Sequence, residues 1–359
     1  MKREVVIIGG GPAGLAAAIE AKRDGCDVLL VDENRRAGGQ LFKQLHKFFG
    51  SRAHRAGVRG IDIGKQLLME TEELGIDFWL NSACIGIFPD KRAAILRDGK
   101  TEIVEAQKLL LCTGGAENPL RFPGWTLPGV MGAGAAQTMA NVQRVLPGKR
   151  ILMIGSGNVG VIVAYQLLQA GAVVVGIVEG MPKIGAYGVH AAKIRRAGIP
   201  FYLGSTIAEA KGTDHVEKAV IAKFENGQIV KGTEMETDVD VICVAVGLRP
   251  LSELAQMAGV QHDFIPEMGG WMPLHNMDME TSVPGIYVAG DTAGVEEAST
   301  AMDEGRLAAA AAAEALGYLS KEEAEKIKTG IRERLDSLRQ GPFGDRRMAA
   351  KERIIEKGV

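Results

Sequence analysis

The chain has 359 residues, 46% of them hydrophobic and 24% charged, with a formal net charge of −2. That length suits two or three domains, each with its own core. The near-neutral balance lacks the basic excess of a nucleic-acid binder, and the longest apolar stretch, LAAAAAAEAL at 307 to 316, is broken by Glu314 and falls well short of the roughly 20 residues of a membrane span.

The start, MKREVVIIGG, runs straight into a strand pattern without a cationic n-region and cleavage site, which gives the expectation of a cytoplasmic protein. EVVIIGGGPAGLAAAIEAKRDG then reads as an apolar strand, a turn at Gly9, Gly11 and Gly14, and an alanine-rich helix whose first turn carries Pro12 and Ala13. The next strand, DVLLVDE, ends at Asp32, 18 residues past Gly14. This is the dinucleotide-binding arrangement: glycines for the tight turn, for close approach of a pyrophosphate and for helix–strand packing, a helix N-terminus for the anion, and an acid for the ribose. Asp32 is the ribose acceptor, and its neighbour Glu33 is expected to face solvent.

From Leu41 to Gly60 no acid occurs, and Lys43, His46, Lys47, Arg52, His54, Arg55 and Arg59 surround Phe48 and Phe49. Two readings stand: a cationic face for an anionic substrate or an acidic partner, and a solvated charged loop. KLLLCTGGAENP at 108 to 119 is a buried strand ending in a Thr-Gly-Gly turn. RILMIGSGNVGVIVAYQLLQAG repeats the opening device with Gly155, Gly157 and Gly160, interleaved with Ser156, Asn158 and Val159, and the following strand closes on Glu179, 19 residues past Gly160. An acid there favours an unphosphorylated ribose, hence NAD(H) over NADP(H), although such a pocket can also hold ADP, ATP or nothing. His190 lies in a predicted helix and reads as a structural or surface histidine. TSVPGIYVAGDTAG at 281 to 294 is a further strand, ending in Gly290 and Asp291, and a small-residue helix starts near Glu297.

Cys26, Cys84, Cys112 and Cys243 are scattered without a CxxC, so they read as small buried hydrophobes and no zinc site, redox dithiol or iron–sulfur ligand set is expected.

The two glycine turns, the Thr-Gly turn and the late Gly-Asp, in this order over roughly residues 3 to 318, resemble the two-dinucleotide-domain flavoprotein superfamily that includes the pyridine-nucleotide disulfide reductases. The resemblance implies an α/β fold of two Rossmann-like dinucleotide-binding domains, the NAD(H) domain (116–249) inserted in a discontinuous FAD domain (1–115 and 250–320), with a charged helical segment over 321–359. It implies that FAD contacts Gly9, Gly11, Pro12, Ala13, Gly14, Asp32, Glu33, Gly39, Gln40, Thr113, Gly114, Gly290 and Asp291. Backbone donors at Ala298, Ser299 and Thr300 would face the flavin pyrimidine ring. For NAD the set is Gly155, Ser156, Gly157, Asn158, Val159, Gly160, Glu179 and Gly247. Disulfide reductases carry a cysteine pair soon after the first Gly-Gly or in the nicotinamide domain; here Gly38-Gly39 is followed by no cysteine, which argues against disulfide reduction.

RFPGWTLPGVMGAGAAQTMANVQRVLPGKR at 121 to 150 resembles the large flavoprotein subunits of multi-component amine and imino-acid dehydrogenases, among them opine oxidase, hydrogen cyanide synthase, sarcosine oxidase and dye-linked proline dehydrogenase. This implies an NAD(H)-linked, FAD-dependent oxidoreductase subunit that relays electrons for a second flavoprotein subunit. An iron–sulfur centre, if one takes part, would come from a separate protein, because residues 320 to 359 hold no cysteine. The alternative is an electron-transfer or scaffolding subunit whose second nucleotide is not turned over. No general base stands out.

Overall fold

The computed structural model describes residues 1–341 and 344–358. The chain separates into two compact units, Met1–Ala116 with Arg249–Val359, and Glu117–Leu248.

The first unit is built on strand Lys2–Ile8, whose fully buried Val5, Val6 and Ile7 leave no polar face, as expected of a parallel strand covered on both sides. Val28–Val31 and then Asp77–Trp79 flank it on one side and Lys100–Leu111 on the other, all parallel. The long strand Lys100–Leu111 divides its labour. Its first half pairs antiparallel with Arg92–Arg97, which continues to Ser82–Ile87, while Leu109–Leu111 pairs in parallel with Ile286–Val288. Helix Pro12–Arg23 lies against helix Ala298–Leu316, and alanines line both, so their backbones approach closely. A Cβ on Gly305 would overlap the Ala13 carbonyl oxygen.

The segment after Ser320 folds onto this unit. Helix Lys321–Leu338 opens with a capping box between Ser320 and Glu323 and buries Ala324, Ile331 and Leu335. Helix Asp345–Gly358 sets Ala350 and Ile354 against Ile265, Met268, Met272 and Leu274 around the hairpin His262–Ile265/Gly270–Pro273.

The second unit has a parallel sheet in the order Phe201–Leu203, Val173–Glu179, Arg150–Ile154, Val241–Val244, Val130–Gly132, with helices Ala133–Asn141, Asn158–Gln169 and Gly188–Arg196. An antiparallel layer of Ser205–Lys211, Lys218–Glu225 and Met235–Asp238 completes it. Both units therefore contain a parallel α/β sheet of Rossmann type. No helix among the described residues is long and apolar enough to cross a membrane.

Candidate functional site

In the first unit the opening glycines are sterically obligatory. Gly9 has φ +103°, and a Cβ there would overlap the Cys112 carbonyl; a Cβ on Gly14 would overlap the Gly9 carbonyl. Gly11, the helix N-cap, faces open space, so the backbone is approachable from outside where the first helical N–H groups lack intrahelical partners. Asp32 is 7% exposed, and its Oδ2 accepts the Gly10 N–H (2.6 Å) while Oδ1 accepts the Asn34 N–H (2.8 Å). The acid thus braces the turn and retains lone pairs for a ligand hydroxyl. Gly38 donates to the Gly10 carbonyl (2.6 Å), which folds Gly39 over Gly11. Glu33 and Gln40 lie on the exposed rim.

The two later motifs converge beside this turn. Gly114 N–H donates to Thr292 Oγ1 (2.8 Å), and Thr113 Oγ1 lies 3.0 Å from the same hydroxyl and donates to the Leu251 carbonyl (2.5 Å). Gly290 (φ +71°) faces Ala13 and Ala301, and Gly115 faces Asp291, so residues 13, 113–115 and 290–292 share one neighbourhood. Asp291 is half-buried. Burial, with Glu304, Glu297 and Glu296 nearby, pushes its carboxyl up to about 7 against the lowering effect of the Glu296 N–H. Helix Ala298–Leu316 follows with Glu297 as N-cap; the first helical bond is from Ala301 N–H to the Glu297 carbonyl, which leaves the N–H groups of Ala298, Ser299 and Thr300 without intrahelical partners.

The second unit repeats the first turn almost bond for bond. Gly155 (φ +102°) and Gly160 leave no room for a Cβ, and Gly157 is open. Glu179 Oε2 accepts from Ser156 N–H (2.9 Å) and Ser156 Oγ (2.6 Å), and Oε1 from Met181 N–H (2.9 Å), as Asp32 does from Gly10 and Asn34. Gly185 N–H donates to Ser156 Oγ and Tyr187 N–H to Asn158 Oδ1, which lays residues 185–187 along the turn. Val159 is on its exposed side, and Gly247 (φ +105°) accepts from Asn118 N–H at the end of this unit.

Each turn combines an open glycine, a helix N-terminus and a braced acid, a donor and acceptor set that fits the pyrophosphate and ribose of a dinucleotide. In the first unit the half-buried Asp291 and the 298–300 donors extend that fit toward a larger, flavin-type group. The four thiols are free; burial pushes Cys84 up to about 11 and Cys26, Cys112 and Cys243 up to about 12, which suits packing rather than nucleophilic chemistry. Among the described residues no group of histidine, cysteine and acids could hold a metal ion.

The basic stretch from 41 to 60 is folded inward in part. Its His54 is 2% exposed and bonds Asp303 Oδ2 through Nε2 (2.9 Å), Phe48 is buried, and Arg55 pairs with Glu70, because Asp303 on the 298–316 helix offers a buried carboxylate to the segment. Lys47, Arg52 and Arg59 remain exposed. His190 is buried on its helix. Sequence reading missed Thr292, whose only signal was its place after Gly-Asp, and the acids Glu296 and Glu304, whose cationic partners lie beyond residue 338.

Residues 3–305 match the family described as pyridine nucleotide-disulphide oxidoreductase. The chain is 32% identical over 337 residues to the A subunit of opine oxidase from Agrobacterium tumefaciens, covering 86% of this chain and 65% of that protein. It is 30% identical to the HcnB subunit of hydrogen cyanide synthase from Pseudomonas aeruginosa, covering all of this chain and 80% of the relative. It spans only 33% of the alpha subunit of sarcosine oxidase from Corynebacterium sp., at 26% identity. In fold it is similar to T. acidophilum thioredoxin reductase (TM-score 0.73, 22% identity, 88% of this chain and 99% of that one). It is also similar to L-proline dehydrogenase from P. horikoshii (TM-score 0.70, 22% identity, 93% and 59%). With both dinucleotide turns and the Gly-Asp turn inside the matched span, the chain belongs to the pyridine nucleotide-disulphide oxidoreductase family and is related to subunits of amine and amino-acid dehydrogenases.

Proposed function

We propose that the first unit holds FAD and the second binds NAD(H), and that the chain is the electron-relaying subunit of an amine or imino-acid dehydrogenase whose amino-acid chemistry resides on a second flavoprotein subunit. The observation that carries this reading is the duplicated turn, in which Asp32 and Glu179 each accept the N–H of the residue after the first glycine. When bound, the cofactors supply hydride exchange between nicotinamide and flavin.

This chain's residues bind and orient them. Gly9, Gly11 and Gly14, with the first turn formed by Pro12 and Ala13, would receive the FAD pyrophosphate, and Asp32 the adenosine ribose. Glu33, Gly39 and Gln40 border that half, Thr113 and Gly114 shape the floor, and Asp291 would meet the ribityl-phosphate portion. The N–H groups of Ala298, Ser299 and Thr300 sit at the positive end of a 19-residue helix, where they would stabilise charge gathered on a pyrimidine edge. Ser156, Asn158 and Val159 line the second turn between Gly155, Gly157 and Gly160, and Glu179 selects a ribose without a 2′-phosphate. The names of the opine oxidase and hydrogen cyanide synthase relatives, each given as one subunit of its enzyme, support the subunit role.

The test is anaerobic addition of NADH to the purified flavin-loaded protein while the visible flavin absorbance is followed. Rapid bleaching is expected. A folded, FAD-loaded protein that does not bleach would overturn the NADH link and leave the scaffolding reading.

A further inference from the structure

Residues Gly290 to Glu297 lie between strand Ile286–Val288 and the helix whose N-terminus begins at Ala298. This connection and the following turns carry five acids, Asp291, Glu296, Glu297, Asp303 and Glu304. Carboxylates crowded and buried near an anionic ligand disfavour both folding and binding unless cations answer them. The cations that answer Glu296, Glu297 and Glu304 come from the segment beyond residue 338, while Asp303 is answered by His54, Arg306 and Arg334.

Lys351, on helix Asp345–Gly358, is 2% exposed. Its Nζ lies 2.7 Å from Glu304 Oε1 and donates to the Ala293 carbonyl at 2.7 Å. Arg339 is 8% exposed and bridges Glu304 Oε1 (2.6 Å) and Glu296 Oε1 (2.7 Å). Glu304 Oε2 in turn accepts the Gly290 N–H (3.0 Å), so the charge chain ends on the backbone beside Asp291. Arg347 adds a contact to Glu297, the cap of the 298–316 helix (3.2 Å). Helix Asp345–Gly358 also carries the ion pairs Arg353–Glu267 and Lys357–Asp263, both exposed and both to the 262–273 hairpin rather than to this connection.

We propose that Lys351 and Arg339 are positioning residues for FAD: through Glu304, Glu296 and the Ala293 carbonyl they fix the Gly290–Glu297 connection in the shape that receives the flavin nucleotide. This rests on the FAD reading given above. The clamp neutralises Glu296, Glu297 and Glu304 from behind, so that a diphosphate meets a connection in which these three carboxylates are already paired.

The experiment strips the flavin and titrates the apoprotein with FAD, following FAD fluorescence, for the wild type, Lys351→Met and Lys357→Met, with melting temperatures measured alongside. Lys351→Met keeps the apolar stem, and Arg339 still pairs Glu304. Its FAD dissociation constant is expected to rise roughly 10- to 100-fold, the size of losing a charged hydrogen bond, while Lys357→Met binds as the wild type does. Equal affinity of Lys351→Met and wild type overturns the proposal, as does an equal loss in both variants, which would make the helix general support only. A wild type that takes up no FAD overturns the FAD reading itself, and the proposal with it. If Lys351→Met does not fold, hydrogen exchange on the wild type decides the matter. Linkage is reciprocal, so FAD must slow exchange in helix 345–358 as well as in residues 290–297, and protection confined to the latter overturns the clamp.

Discussion

His275 offers a stability test whose sign and size follow from its surroundings. The ring is 1% exposed; Nδ1 donates to the Asn276 carbonyl at 2.9 Å, and Nε2 has no hydrogen-bond partner among the described residues. Burial first, and then the charge of Lys351, push its pKa from 6.5 down to about 3; the Asn276 carbonyl and Glu296 oppose the shift, and Arg339 adds to it. Between those values the unfolded chain holds a proton that the folded chain refuses, so stability falls as pH drops through 6.5 and levels off below about 3. The His275 contribution is near zero at pH 7 and costs about 2.5 kcal/mol by pH 4.5. Asp291 acts oppositely. Its carboxyl is raised from 3.8 to about 7, so its stabilisation is present in acid and lost as pH rises toward 7. The wild-type profile therefore mixes opposed slopes, and only a difference isolates the histidine. Urea unfolding of flavin-free wild type and His275→Gln at the two pH values gives it. The variant should lose about 2.5 kcal/mol less than the wild type on acidification, whatever its absolute stability. Parallel profiles would refute the assignment of a buried, proton-refusing ring.

Three further outcomes follow from close contacts. Gly305→Ala gains helix propensity but drives a Cβ into the Ala13 carbonyl, so a net loss of roughly 1–3 kcal/mol is expected, and an unchanged or higher melting temperature would contradict the close helix approach. Asp303 is fully buried and pairs with His54, Arg306 and Arg334. Burial alone would raise it, but the hydrogen bonds from His54 and Arg334 hold it well below the usual carboxylate range, so its stabilisation is present above pH 4 and lost in stronger acid. Asp303→Asn should cost roughly 3–5 kcal/mol near neutrality in urea unfolding. Glu179→Arg removes the acceptor that braces Ser156 and should weaken NADH binding about tenfold or more in a nicotinamide-fluorescence titration; unaltered NADH affinity would remove Glu179 from the site.

The parts of the site that could be read from sequence are those where sterics or chain spacing dictate a residue type. Gly9, Gly14, Gly155 and Gly160 are glycines because a Cβ would collide with a neighbouring carbonyl, and collisions within one strand–turn–helix leave a fixed spacing. Asp32 and Glu179 announce themselves by distance from those glycines, although their bracing of Gly10 and Ser156 is a bond to backbone, which no side-chain pattern records. Thr292, by contrast, closes on Gly114 across 178 positions, and His54 finds Asp303 across 249. A histidine in a run of lysines and arginines looks solvated until the helix bearing its partner is in place.

The buried cations after residue 320 were legible in one respect that composition hides. In helix Lys321–Leu338 the residues buried most deeply are Ala324, Lys328, Ile331 and Leu335, one continuous helical stripe with a lysine inside it. In the next helix Lys351 stands between Ala350 and Ile354 on the buried face. A lysine in an apolar stripe either snorkels to water or meets a buried anion, and at 4% and 2% exposure these two do not reach water. The register alone thus implies that each needs an acid on another element. Which acid cannot come from the stripe: Lys328 takes Asp278 and Glu314, Lys351 takes Glu304, and each choice is made by how the helices pack. A charged segment with cations on its apolar face is therefore a folded part of the site's neighbourhood, whereas one with cations on its polar face would be a solvated appendage.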